Sequence, residues 1–248
     1  MTESISTGAS LPPRYQAYGL ATLGGVLYFL GWAGFGFWPL SLLCLVPLWG
    51  ALELGLGRTW RHTLAVAWLY GTVTCAGGYH WLVEFLDVFS GYGYAASALF
   101  WLIFSAYLGF NFAVYGLIYR ALRLRGWETS IVAIPVLLLI EWLYPSLFPT
   151  YLSNSLQHQT TVVQIADLGG PMLVTIVMAL VNLSIYEATR WWPRRDRAPR
   201  LVWGLTTAAV ALTLIYGTVR IAQVEAQMEA APVLRLGVVQ VNMGIFEK

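Results

Sequence analysis

Long uncharged apolar stretches alternate along this chain with short basic clusters. Arg14 stands alone, Arg58 and Arg61 form a second group, Arg120, Arg123 and Arg125 a third, and Arg190, Arg194, Arg195, Arg197 and Arg200 a fourth. Each interval is long enough for one apolar helix to cross a bilayer and another to return, at roughly 20 residues per crossing. The midpoints of those intervals, residues 34–39, 84–93 and 145–167, hold no Lys or Arg. The pattern predicts an all-α polytopic membrane protein with about seven transmembrane helices. The expected spans are Gln16 to Ala33, Pro39 to Leu56, Thr63 to Val83, Tyr92 to Tyr119, Ser130 to Tyr144, Gly170 to Tyr186 and Leu201 to Val219. Between the first two, Gly34 to Pro39 reads as a turn: glycine permits it, Trp38 suits the headgroup layer and Pro39 opens the next helix.

The basic clusters all fall at one end of that threading. By the positive-inside rule this end faces the cytoplasm, which places the N-terminus inside and the C-terminus outside after seven crossings. Composition agrees, with 58% hydrophobic and 10% charged residues against about 25% charged in a soluble domain. The arginines sit at helix ends and form no single face, so a nucleic-acid surface is not expected. Met1 to Pro13 is short and polar, and no cleavable signal peptide is evident. Cys44 and Cys75 lie inside expected spans and read as small hydrophobes, not a disulfide pair.

Past the last span the composition changes. Gln223 to Ala230 is polar and helix-prone. After Pro232, the run from Leu234 to Asn242 is β-branched and reads as a buried strand. A lone strand in lipid would leave its backbone groups unpaired. The expected organisation is therefore a membrane domain over residues 1–228 and, over 229–248, the start of a soluble domain on the outer face.

Few polar side chains interrupt the spans. Glu141 lies twelve residues beyond Thr129, roughly 18 Å along a helix, toward the outer leaflet. A carboxylate there needs a partner or a water-filled cavity. It either binds a polar headgroup or makes a structural hydrogen bond to a neighbouring helix. His80 and Trp81, at the outer end of the third span, could touch headgroups, although an aromatic-belt anchor explains Trp81 equally well. Asn154, Gln157, His158 and Gln159 form an amide-rich outer loop that orients headgroups or is simply solvated. Asn111 and Asn182 read as interhelical hydrogen-bonding groups, and Gly71, Gly77, Gly78, Gly109 and Gly116 as sites of close helix approach. His62 and His158 have no second ligand at useful spacing, so no metal is expected.

Several segments, taken in order, resemble the apolipoprotein N-acyltransferases of bacterial inner membranes. These are Gly36-Phe37-Trp38-Pro39-Leu40 followed by Leu45-Val46-Pro47-Leu48, then Gly78-Tyr79-His80-Trp81-Leu82, Glu141-Trp142-Leu143, Gln164-Ile165-Ala166-Asp167-Leu168-Gly169-Gly170 with Leu180-Val181-Asn182, and Val238-Val239-Gln240-Val241-Asn242. The chain departs from the family at Val241, where glycine is usual, and at Thr150, where Trp often follows Pro149. The resemblance implies a multi-pass inner-membrane protein whose outer soluble part is an α/β nitrilase-like domain, begun here by the strand ending at Asn242.

It further implies transfer of an acyl chain from a phospholipid to the N-terminal diacylglyceryl-cysteine of a lipoprotein, with no cofactor. In the family, a Glu-Lys-Cys set in the nitrilase-like domain does this chemistry through a thioester. None of the three has a counterpart in these 248 residues. Lys248 is too close to the opening strand, and Cys44 and Cys75 sit in apolar surroundings where a thiolate is disfavoured. The chain is therefore expected to be truncated, to hold no catalytic residue and to be inactive alone. A separate nitrilase-like subunit would complete it if the gene is split. Its substrate-binding candidates are Glu141, Trp142, His80, Trp81, Asn154 and Gln157, and its partners would be the phospholipid donor, the lipidated apolipoprotein acceptor and membrane lipids. Two other classes compete: a small transporter, for which no repeat or midplane ionisable residue is visible, and a non-catalytic lipid-binding scaffold.

Overall fold

The computed structural model describes residues 14–146, 148, 150–194 and 198–240. The described chain is a succession of helices: α1 (Arg14–Leu30), a 3-10 turn (Trp38–Leu42), α2 (Leu45–Leu54), α3 (Trp60–Gly78), α4 (Leu82–Ser90), α5 (Tyr94–Leu124), α6 (Thr129–Leu143), a second 3-10 turn (Leu152–Leu156), α7 (Thr160–Val163), α8 (Ala166–Arg194) and α9 (Arg200–Ala230). Among the described residues there is no β-strand. Among the described residues, three helices are both long and apolar enough to cross a membrane: Tyr94–Leu124, Ala166–Pro193 and Arg200–Ala230. The basic residues Arg195 and Arg197 lie outside the described residues, as do Met1 to Pro13, Pro149, Val241, Asn242 and Lys248.

The helices depart from the expected seven spans in definite ways. The second span is two pieces, a five-residue 3-10 turn and a ten-residue helix, with Leu43 and Cys44 between them. At about 1.5 Å per residue, α2 covers only about 15 Å of the roughly 30 Å hydrocarbon layer. The third helix stops at Gly78, short of Val83, because the His80 ring takes the Gly77 carbonyl at 2.9 Å and the chain turns into the separate helix α4. The sixth starts at Ala166 and kinks at Gly169 and Gly170, the latter at φ +64°, before Pro171 restarts the helix. Such a φ suits glycine because no Cβ meets the following carbonyl.

The expected strand is a correction too. Residues 232–240 carry no regular structure, and Val233, Val238 and Val239 are about nine-tenths exposed. A strand is stabilised by the ladder of a neighbour, and nothing described lies beside this one. The helix before it runs unbroken to Ala230, two residues past the expected boundary at 228.

The core forms around α3, which packs on α1 and α5. Gly71 and Gly109 bring α3 and α5 into backbone contact. A Cβ on Gly71 would stand 2.2 Å from the Gly109 carbonyl oxygen, and one on Gly109 would stand 2.4 Å from the Thr72 nitrogen. Fully buried Trp49, Tyr70, Tyr115 and Tyr119 fill the interior. Trp49 Nε1 donates to the Tyr115 hydroxyl (2.7 Å), which donates to the Ala133 carbonyl of α6 (3.3 Å). In an apolar interior the polar groups of Trp49 and Tyr115 are tolerated because each finds a partner.

Asn182 of α8 performs the interhelical role expected of it. Its Oδ1 accepts from the Leu45 amide at 2.9 Å, and its Nδ2 donates to the Ser41 and Met178 carbonyls at 3.0 Å each. One side chain thus closes the break before α2. At the arginine-rich end, Arg123 clamps Glu53 of α2 through Nε (2.7 Å) and Nη2 (2.9 Å), and Tyr119 donates to the same carboxylate at 2.7 Å. Arg120 donates to the Leu56 and Arg58 carbonyls at 2.5 and 2.6 Å, satisfying the end of α2.

Two substitutions test this packing. Asn182→Leu leaves the Leu45 amide and Ser41 carbonyl unpaired in the interior and is expected to cost about 1–3 kcal/mol. Gly71→Leu forces α3 and α5 apart and is expected to cost about as much or more. Reversible unfolding in mixed micelles, followed by circular dichroism, measures both; midpoints equal to that of the parent chain would contradict the assigned contacts.

Candidate functional site

Helix α6 ends at Leu143, where Tyr144 turns extended (ψ 124°) ahead of Pro145, because a residue preceding proline is crowded out of the helical region. Glu141 occupies the last turn. Its Oε1 accepts from the Leu152 amide at 2.8 Å, so the carboxylate caps the 3-10 turn Leu152–Leu156 and returns the intervening loop to α6. Thr175 of α8 stands beside this carboxylate and accepts from the Ser153 amide at 3.3 Å. The other carboxylate oxygen, Oε2, is buried and makes no hydrogen bond.

Glu141 lines two adjoining cavities. The outer one, about 110 Å³, is bounded by Asn111, Trp142, Tyr144, Ser146, Thr150 and Tyr151 among others. The inner one, about 20 Å³, reaches Tyr28, Trp32 and Thr74. Asn111, Cys75, Ile140 and Thr150 border both. The side-chain oxygen of Asn111 is likewise buried without a partner. Two unpaired acceptor oxygens on the walls of one small polar space favour a ligand that donates hydrogen bonds: water, a hydroxyl or an amine. The inner cavity has room for about one water and the outer for several.

Tyr79 ties the end of α3 to this loop. Its hydroxyl is 3.4 Å from the Thr150 hydroxyl, and its ring packs edge-on against Trp32 and Phe104, with centroids 5.2 and 5.3 Å away. Phe148 lies 6.4 Å from the same ring. The result is an aromatic wall beside the Glu141 cavity.

Of the six residues singled out from the sequence, the structure brings Glu141 and Trp142 to the cavity. Trp142 sits at its rim and is 74% exposed. Asn154 and Gln157 are exposed along the Leu152 turn and next to it, with the Gln157 amide 3.3 Å from His158 Nε2. His80 and Trp81 are exposed and point elsewhere: the His80 ring lies on Phe35, and Trp81 packs on Phe85. Neither lines the cavity. Sequence reasoning passed over Tyr79, Thr150 and Thr175 as site residues and took Asn111 for a packing group. The polar position of Asn111 on an apolar helix was the available signal; nothing in the spacing marked Thr150 or Thr175. Among the described residues, no group of three His, Cys, Asp or Glu is placed to hold a metal.

A sequence model of the apolipoprotein N-acyltransferase N-terminal domain matches residues 24–184, a stretch that includes Gly71, Gly109, Asn111, Glu141, Thr175 and Asn182. An apolipoprotein N-acyltransferase of Rhodopirellula baltica is 28% identical over 218 residues, covering 77% of this chain and 35% of that protein. One of Geobacter metallireducens is 26% identical over 217 residues, covering 84% of this chain and 40% of that protein. The chain therefore spans about two-fifths or less of the length of these curated relatives. With well over half of its residues matched, the chain belongs to the apolipoprotein N-acyltransferase N-terminal domain family.

Proposed function

We propose that this chain is the membrane part of an apolipoprotein N-acyltransferase, which moves an acyl chain from a phospholipid to the N-terminal diacylglyceryl-cysteine of a lipoprotein. The family match over residues 24–184 carries this reading. The buried Glu141 cavity, walled by aromatic residues, supports it. Both substrates are lipids, and drawing their chains into water would cost about 0.8 kcal/mol per CH₂. A membrane scaffold avoids that cost by receiving them sideways from the bilayer.

In this reading α1, α3, α6 and the broken segment from Trp38 to Leu54 are embedded beside the three long helices, giving about seven crossings. The Arg58, Arg61, Arg120 and Arg123 end faces the cytoplasm of a bacterial inner membrane, and the Glu141 end faces outward. Glu141, with Asn111 and Thr150, receives hydrogen-bond donors of a substrate headgroup. Trp142 forms the cavity rim, and Asn154, Gln157, His80 and Trp81 lie farther out, where headgroups approach. Residues 229–248 belong to the start of a nitrilase-like domain.

The chemistry needs a nucleophile, and these residues offer none. Cys44 is 0% exposed, and Cys75, although it borders the Glu141 cavity, is 5% exposed in apolar surroundings where the nucleophilic thiolate is disfavoured. The Glu, Lys and Cys of acyl transfer are supplied by sequence other than these 248 residues, on the same polypeptide or another.

Transfer of a labelled acyl chain from phospholipid vesicles to a diacylated lipopeptide tests the reading. The 248-residue chain alone is expected to transfer none. A chimera that joins it to the remainder of the Rhodopirellula baltica relative is expected to transfer in a saturable manner. Saturable transfer by the chain alone, or a folded but silent chimera, would contradict the assignment. In the active chimera, Glu141→Gln keeps an acceptor for the Leu152 amide and is expected to retain most activity. Glu141→Leu removes both acceptors and is expected to raise the KM for lipopeptide or phospholipid about tenfold. Equal kinetics for the two variants would remove Glu141 from the binding site.

A further inference from the structure

At the Glu141 end of the molecule, Tyr79, His80 and Trp81 join α3 to the nine-residue helix α4. At about 1.5 Å per residue α4 is about 14 Å long, too short to cross roughly 30 Å of hydrocarbon. Its sides differ in kind. Leu82 and Val83 are its buried residues, and it packs on α5. Trp81, Phe85, Val88 and Phe89 share a sector of about 100° around the helix axis and stand out from the protein, with Trp81 46%, Phe85 44% and Phe89 60% exposed. Their three rings follow one another at i, i+4 and i+8, with centroids 6.0 and 4.6 Å apart. Glu84 and Asp87 fall outside that sector. A short helix with this division has a strong apolar face that its own fold leaves uncovered.

The surface that continues from the aromatic stripe identifies what covers it. Exposed Tyr92, in the turn from α4 to α5, lies with its ring 5.9 Å from Phe100 of α5. Phe100 belongs to a row of exposed apolar residues on α5 with Leu99, Leu102 and Ile103, and α5 is one of the helices long and apolar enough to cross a membrane. The stripe therefore runs on into the side of α5 that meets lipid chains. Trp81, Tyr92 and Tyr94 are side chains suited to the boundary between headgroups and hydrocarbon. The charges of α4, Glu84 and Asp87, sit on its other side, where they stay in water.

We propose that α4 is an interfacial helix that rests on the outer leaflet of the bilayer, with Trp81, Phe85, Val88 and Phe89 inserted at the boundary between headgroups and acyl chains. The bilayer itself is the partner of this face. Tyr79 precedes α4 by three residues, so the anchored helix holds the aromatic wall beside the Glu141 cavity at the depth of lipid headgroups. The inference rests on the reading that α5 crosses the membrane and does not depend on acyl transfer.

Spin labels read by electron paramagnetic resonance test this, with oxygen and a water-soluble nickel chelate as relaxants. Phe85→Cys, Phe89→Cys, Glu84→Cys and Asp87→Cys are labelled in a background lacking Cys44 and Cys75, with Ile103→Cys as the lipid-facing reference on α5, and the 248-residue chain is placed in phosphatidylcholine nanodiscs. Labels at 85 and 89 are expected to favour oxygen and to lie about 5–10 Å below the lipid phosphates. Labels at 84 and 87 are expected to favour the nickel chelate. If the Phe85 and Phe89 variants fail to fold by circular dichroism, Val88→Cys on the same face is expected to favour oxygen in their place. Oxygen at 103 with the nickel chelate at 85, 88 and 89 would overturn the proposal alone, and the nickel chelate at 103 would overturn the membrane reading of α5 with it. Protection of 85 and 89 from both relaxants would mean that protein covers the stripe. The same protection seen only in the chimera with the remainder of the Rhodopirellula baltica relative would assign the face to the added part. Either result would overturn the proposal.

Discussion

Inside hydrocarbon, no water replaces a hydrogen bond that a broken helix gives up. This chain breaks its helices repeatedly, and three of the interruptions are closed by side chains from other helices. Asn182 of α8 holds the break before α2. Arg120 of α5 holds the carbonyls that follow α2. Glu141 of α6 holds the amide that opens the Leu152 turn. Each connection joins segments far apart in sequence or across a loop, so satisfying the backbone and fixing the tertiary arrangement are the same event. These three interruptions are tolerated because polar side chains of other helices pair the backbone groups they leave open.

The glycines supply the complementary constraint. With α3 and α5 touching backbone to backbone at Gly71 and Gly109, Tyr79 at the end of α3 is brought to the loop after α6. That contact sets the aromatic wall beside the Glu141 cavity. The cavity is thus a consequence of helix packing at one end and of loop capping at the other. Glu141 uses one oxygen to build the loop and leaves the second unpaired toward a polar space. A residue with this division of labour can both shape a site and receive a ligand there.

Much of this was legible in the residues. The alternation of arginine clusters and apolar stretches located the helices. The polar outliers Glu141 and Asn182 drew notice because hydrocarbon penalises them. The glycine positions foretold close approach. What could not be read was where helices break. The stop at Gly78 depends on the His80 ring taking a carbonyl, and the break before α2 depends on an amide partner 137 residues away. A strand pattern at Leu234 to Val239 says only that these residues suit a sheet; a sheet also needs neighbours. Thr150 and Thr175 became site residues only through three-dimensional placement, which no local spacing encodes.

The proposed function rests on the two ends of the molecule facing opposite sides of the membrane, with the arginine-rich end inside and the Glu141 cavity outside. Single cysteines placed at Arg125 and Asn154 in a background lacking Cys44 and Cys75, and probed in intact cells with a membrane-impermeant maleimide, test it most directly. The account predicts labelling at position 154 and protection at 125 until the inner membrane is opened. Labelling at 125 with protection at 154, or labelling of both from the same side, would contradict it.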